Sequence, residues 1–133
     1  IAKAVTPLHG KILANMGVSE VIYPERDAAV RLAHRLIAPN VLEYLELAQG
    51  YSIEEIEVPA PFAGKPLKEA SIRTRFGINV IAIKRRVTKL VRGEWTNVEE
   101  MNVNPDAEDI LQKGDVMVIV GKEEDLDRLS KIE

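Results

Sequence analysis

Seven bases, Arg73, Arg75, Lys84, Arg85, Arg86, Lys89 and Arg92, lie in a stretch of twenty residues without one acidic side chain. The chain as a whole carries −3, so the remainder is markedly acidic. Inside the same stretch, Phe76–Ile83 is an apolar run interrupted at Asn79. A guanidinium offers phosphate a fixed fork of donors, and a side-chain amide offers a base edge both a donor and an acceptor. Positive charge beside an apolar strand therefore suits a ligand with anionic phosphates and flat apolar parts. The same residues also describe a solvated, charged hairpin whose ion pairs contribute little.

Other chemistries find few residues to work with. There are no cysteines, which removes disulfides, thiolate metal sites and cysteine nucleophiles. Two histidines, His9 and His34, are too few for a zinc site; the first reads as a surface or interface residue, the second as solvated or at a helix contact. Ser19, Ser52, Ser71 and Ser130 stand in no nucleophile-elbow context. None of the glycines forms G-x-G-x-x-G or a phosphate-binding loop. No enzyme and no metal site is expected. The acidic balance argues against general nucleic-acid binding. No apolar run approaches the roughly 18 residues that span a bilayer, and no signal peptide is visible. The expectation is a cytoplasmic protein.

Hydrophobic periodicity supplies the elements that must position these groups. Ile1–Val5 reads as a strand end, and its abrupt start reads as that of a fragment. Pro7 opens a helix through Met16 with Gly17 as its cap. Val18–Tyr23 reads as a strand, and Pro24 opens a helix to Ile37 with Ala29, Leu32, Ala33 and Leu36 on its apolar face. Val41, Leu42, Leu45 and Leu47 suggest a short amphipathic helix. The pattern changes at Gln49-Gly50, which gives expected domains 1–50 and 51–133. Beyond it, strands are expected over Tyr51–Pro59, Ile78–Val87 and Val116–Val120, a helix over Leu67–Phe76, a hairpin around Gly93 carrying Trp95, and a last helix opened by Glu123-Glu124-Asp125. The class is α/β with an α+β C-terminal lobe: the remnant of a Rossmann-like half with a crossover helix, then a small β-rich lobe with flanking helices.

Val18–Ala33 resembles the end of the nucleotide-binding half of RCK domains, the regulators of potassium conductance, and Asn40–Leu47 resembles the helix that follows. The second half resembles the RCK C-terminal, or TrkA-C, lobe. Its signposts are Ile56–Val58, Gly64–Leu67, Arg73, Phe76-Gly77, Asn79-Val80, Ala82-Ile83, Asn104-Pro105 and Leu111–Gly121. The subtype looks like the cytosolic gating subunit of Ktr or Trk potassium uptake systems.

This resemblance implies a regulatory module that gates a membrane potassium transporter through rearrangement of a homodimer or octameric ring. It implies a place at the inner face of the membrane, held there by that partner. The Gly-rich strand–turn–helix of the family's ATP or NAD site is missing, so no tightly bound cofactor is expected and a separate chain is a possible source of that half. Cyclic di-AMP is the ligand that the resemblance implies for paired C-terminal lobes, at positions matching Leu67, Lys68, Arg73, Asn79, Val80 and Pro105. The crossover-helix resemblance implies dimer contacts through Ala29, Leu32, Ala33 and Leu36. Alternative readings are a structural assembly module of the ring, and the regulatory lobe of another ion transporter.

Overall fold

The computed structural model describes residues 1–132 and divides into two compact units, Ile1–Ile37 and the remainder from Ala38. The first unit is a single strand–helix–strand–helix repeat. Strands β1 (Ala2–Lys3) and β2 (Val21–Ile22) pair in parallel, with helix α1 (Pro7–Asn15) between them and α2 (Pro24–Ile37) following. Thr6 caps α1 by accepting from the His9 backbone N–H at 3.2 Å, and Pro7 occupies the position where a missing N–H costs nothing. Gly10 is required by packing: a Cβ there would sit 1.7 Å from the Tyr23 hydroxyl oxygen. No residue of α2 is buried. Leu32 and Leu36 are 58% and 75% exposed, so its apolar stripe faces outward.

The second unit is a five-stranded antiparallel sheet in the order β3-β4-β7-β5-β6, built from Val41–Ala48, Tyr51–Glu57, Val116–Lys122, Asn79–Val91 and Glu94–Val103 respectively. Short helices α3 (Leu67–Ala70) and α4 (Ile72–Phe76) and the terminal α5 (Glu123–Ser130) complete it. Alternation along the strands sends Ile56, Met117, Ile119 and Ile83 into one core with Phe62, Ile72, Ile78, Leu111, Leu126 and Leu129. Leu126 and Leu129 are fully buried. Truncating either to Ala is expected to cost about 2–5 kcal/mol.

Two local expectations are corrected. Residues 41–48 form a strand, not a helix. Gly50, at φ +78°, turns the chain so that Ala48 faces Tyr51, and the exposed edge of β4 then recruits the preceding segment. The two compact units divide at Ile37/Ala38, and β3 and β4 form one hairpin within the second. The helix expected over Leu67–Phe76 is two helices, broken where Ser71 takes a left-handed φ of 50°. The hairpin at Gly93 forms as read. Arg92 and Gly93 both have positive φ, 51° and 82°, the requirement of a tight two-residue hairpin turn. No helix among the described residues is long and apolar enough to cross a membrane.

Candidate ligand-binding site

A cavity of about 400 Å³ opens in the second unit between α3, α4, the start of β5 and the loop after β6. Leu67, Lys68, Arg73, Asn79, Val80 and Pro105 all line it, together with Ser71, Ile72, Thr74, Ile78 and Ala107. Backbone geometry explains how residues almost forty positions apart converge. The Leu67 and Lys68 N–H groups donate to the Asp109 and Ala107 carbonyls at 2.8 and 2.9 Å, stitching the start of α3 to the loop. Asn104 turns left-handed, φ 59°, while its N–H donates to the Ile81 carbonyl at 3.0 Å, and this brings Pro105 over the start of β5. At the other wall Gly77, φ 71°, ends α4 and donates to the Arg73 carbonyl at 2.9 Å. That reversal sets Arg73 and Asn79 on the same cavity.

The cavity is chemically mixed. Leu67, Ile72, Ile78, Val80, Pro105 and Ala107 form apolar walls, and Lys68, Arg73 and Asn79 supply polar groups at the exposed side. The Ser71 and Thr74 hydroxyls donate to the Lys68 and Ser71 carbonyls, each at 3.1 Å, which leaves their oxygens as acceptors. Arg73 makes no ion pair among the described residues. Lys68 is paired with Glu108 at 2.6 Å. The volume and the few convergent polar groups fall in the range of small-molecule sites.

The other bases of the acid-free stretch are mostly committed elsewhere. Arg85 makes a bidentate contact to Asp115, Nε to Oδ1 at 2.8 Å and Nη2 to Oδ2 at 2.6 Å, and Nη2 also donates to the Ile110 carbonyl at 3.0 Å. Asp115 is 2% exposed and accepts further from the Gln112 N–H at 2.9 Å. Lys84 meets Glu55 at 2.5 Å across the sheet, a hydrogen bond that raises the ammonium above the usual lysine range. Lys89 pairs with Glu100, and Arg75 stacks over Phe76, 5.2 Å from the ring centre. The stretch therefore forms no continuous positive patch. The residues that sequence reasoning missed at the cavity, Ser71, Ile72, Thr74, Ile78 and Ala107, lie within two positions of ones it named. The Ser71 kink and the Glu108 partner carried no sequence signal.

Away from the cavity, Glu54 is a buried carboxyl with no ion pair among the described residues. Burial first, then the negative charges of Glu123 and Asp127, push it up to about 7. Tyr44, its cross-strand neighbour, donates to Glu123 Oε1 at 2.7 Å. No group of three or more acidic or histidine side chains is arranged for a metal among the described residues.

Comparison with known proteins agrees with this architecture. The family described as TrkA-C domain matches residues 53–133. The Ktr system potassium uptake protein C of Bacillus subtilis (strain 168) is 35% identical over 129 residues, covering 97% of this chain and 53% of that protein. The Ktr system potassium uptake protein A of the same organism is 30% identical over 126 residues, covering 95% of this chain and 51% of that protein. The crystal structure of the GsuK RCK domain aligns with 98% of this chain and 26% of its own, at 25% identity and a TM-score of 0.50. The chain spans about half the length of the curated relatives it matches. The two curated relatives are named for potassium uptake, and the solved structure is of an RCK domain. With the match running from β4 through α5, the chain belongs to the TrkA-C domain family.

Proposed function

We propose that this chain is the ligand-sensing part of a potassium uptake regulator, and that cyclic di-AMP binds between the C-terminal lobes of two copies. The observation that carries the reading is the convergence of Leu67, Lys68, Arg73, Asn79, Val80 and Pro105 on one cavity. The apolar walls suit an adenine face, Asn79 suits its edge, and Arg73 suits a phosphate. A twofold-symmetric ligand fits an isologous pair of such cavities. Ligand binding would bias the geometry of the paired lobes, and a membrane transporter subunit at the inner face of the membrane would read that bias. Pairing would also cover the stripe of Ala29, Leu32, Ala33 and Leu36 on α2, which no residue of the described chain buries. Whether paired lobes extend to an octameric ring, and whether another chain supplies the ATP or NAD half, belong to the same proposal.

Calorimetric titration of this chain with cyclic di-AMP, with cyclic di-GMP as control, tests the ligand. One site per dimer and discrimination against the guanine analogue are expected. A chain that ignores cyclic di-AMP at high micromolar concentration and still dimerises leaves an assembly role in its place. Sedimentation at on the order of tens of micromolar, a range that reports moderate affinity, tests pairing, and a stable monomer there overturns it.

A further inference from the structure

Resting on the ligand reading above, the geometry points to Glu108 as a built-in competitor for that ligand. Two cations line the cavity, Lys68 and Arg73. Arg73 is unpaired among the described residues, whereas Lys68 Nζ lies 2.6 Å from Glu108 Oε1. The pairing is enforced by the backbone, because the Lys68 N–H donates to the carbonyl of Ala107 and thereby carries the next residue, Glu108, alongside. The neighbouring acids are held otherwise: Asp109 Oδ2 accepts from Asn102 and from the Asp106 N–H, and Asp106 accepts from the Ala107 N–H. Glu108 is thus the carboxylate that neutralises a cavity cation.

A phosphate entering beside Arg73 meets a lysine already bound to an anion. To use it, the ligand must displace the Glu108 carboxylate. The side chains are 51% and 73% exposed, so the pair is soft and exchange is inexpensive. Glu108 therefore sets the affinity threshold, and Lys68 is a conditional second phosphate contact. It acts only for ligands anionic enough to out-compete a carboxylate, which favours a bis-phosphate over a neutral adenine compound.

The test is titration of wild type, Glu108→Gln, Lys68→Met and the double variant with cyclic di-AMP at several salt concentrations. Glu108→Gln should tighten binding by up to about fivefold, the range that loss of an exposed ion-pair competitor supports. Lys68→Met should weaken binding by a similar factor and make it less sensitive to salt. Glu108→Gln should have no effect in the Lys68→Met background. Thermal midpoints should be unchanged, since both side chains are exposed. Equal effects of Glu108→Gln in the two backgrounds, or none in either, overturn the inference while leaving the ligand reading intact. A wild type that does not bind cyclic di-AMP overturns both.

Discussion

Arg73 and Arg85 come from one acid-free stretch of sequence and end in opposite circumstances. Arg73 reaches a cavity, exposed and without an ion pair among the described residues. Arg85 is clamped by both oxygens of a carboxylate that is 2% exposed. The chemistry of the two side chains is the same; what differs is what tertiary contact brings to each. Charge density along a sequence is not charge density in space. In this lobe the sheet delivers Asp115, Glu55 and Glu100 to Arg85, Lys84 and Lys89 of β5, whereas Arg73 at the helical end lines the cavity with no ion pair among the described residues.

The most severe way to break that comparison is to remove Asp115. Asp115→Ala leaves the Arg85 guanidinium half-buried and unpaired, and also strips an acceptor from the Gln112 N–H. Orphaning a fully buried charge costs about 3–5 kcal/mol, and with the Arg85 side chain 34% exposed the loss for Asp115→Ala should fall at or below the lower end. The urea midpoint should fall accordingly, and Arg85→Ala should resemble it. Replacing both partners together with apolar residues should recover much of the loss, since the pair is tested as a unit in such a cycle. If Asp115→Ala costs no more than a surface substitution, the pair is not structural and the comparison with Arg73 fails.

Arg73→Ala should do the reverse: stability within about 0.5 kcal/mol, as for a surface change, and cyclic di-AMP affinity down by one to two decades, matching a charge-assisted contact of about 1.5–3 kcal/mol. Asn79→Ala should lose discrimination between adenine and guanine more than it loses attraction for phosphate. Calorimetry at fixed salt separates the two effects. A large stability loss with Arg73→Ala would mean that it too is part of the framework.

How much of this was legible in the sequence follows from the range of each interaction. Leu67, Arg73, Asn79 and Val80 lie within one short segment, and Pro105 sits at a turn that announces itself by Asn104-Pro105; local pattern and family likeness were enough to name them. The strand character of Val41–Ala48 was not legible, because its apolar spacing fits a helix equally well and the deciding partner is the edge of β4. The ion partners of Lys84 and Arg85, 29 and 30 residues away, were equally invisible. The kink at Ser71 depends on a backbone conformation that serine does not advertise.

Glu54 sharpens the comparison from the acidic side. Asp115 is a buried carboxylate with an arginine; Glu54 is a buried carboxyl facing Glu123 and Asp127. Its folded value, about 7, lies above the ordinary 4.5. Between those limits the folded state holds a proton that the unfolded state has released, so stability is full below pH 4.5 and declines as pH rises through 7. At about 1.4 kcal/mol for each pH unit, the loss should approach about 3 kcal/mol. Glu54→Gln should abolish most of this slope and be more stable than wild type at pH 8 while matching it at pH 5. A wild type as stable at pH 8 as at pH 5 would show that Glu54 ionises without penalty.

The smallest effect is expected at the hairpin tip. Beyond Lys84, β5 pairs only with β6, so the ribbon from Arg85 to Glu100 is two-stranded. Trp95 faces Leu90 across the strands, and both are largely exposed, at 74% and 58%. Such a cross-strand pair contributes about 0.2–1 kcal/mol locally, and nothing in the core rests on it. Trp95→Ala, or a ribbon shortened between Lys89 and Thr96 around a new Asn-Gly turn, should therefore leave the thermal midpoint within a few degrees. At protein concentrations where the chain stays paired, affinity for cyclic di-AMP should also be unchanged, because no tip residue lines the cavity. An exposed tryptophan beside Lys89 and Arg92 has the composition of a contact hot spot, so self-association by sedimentation is the measurement expected to respond. Unchanged assembly would assign the ribbon to solvent. A loss of stability as large as that of Asp115→Ala would make it part of the framework after all, and would erase the distinction between the two ends of the basic stretch.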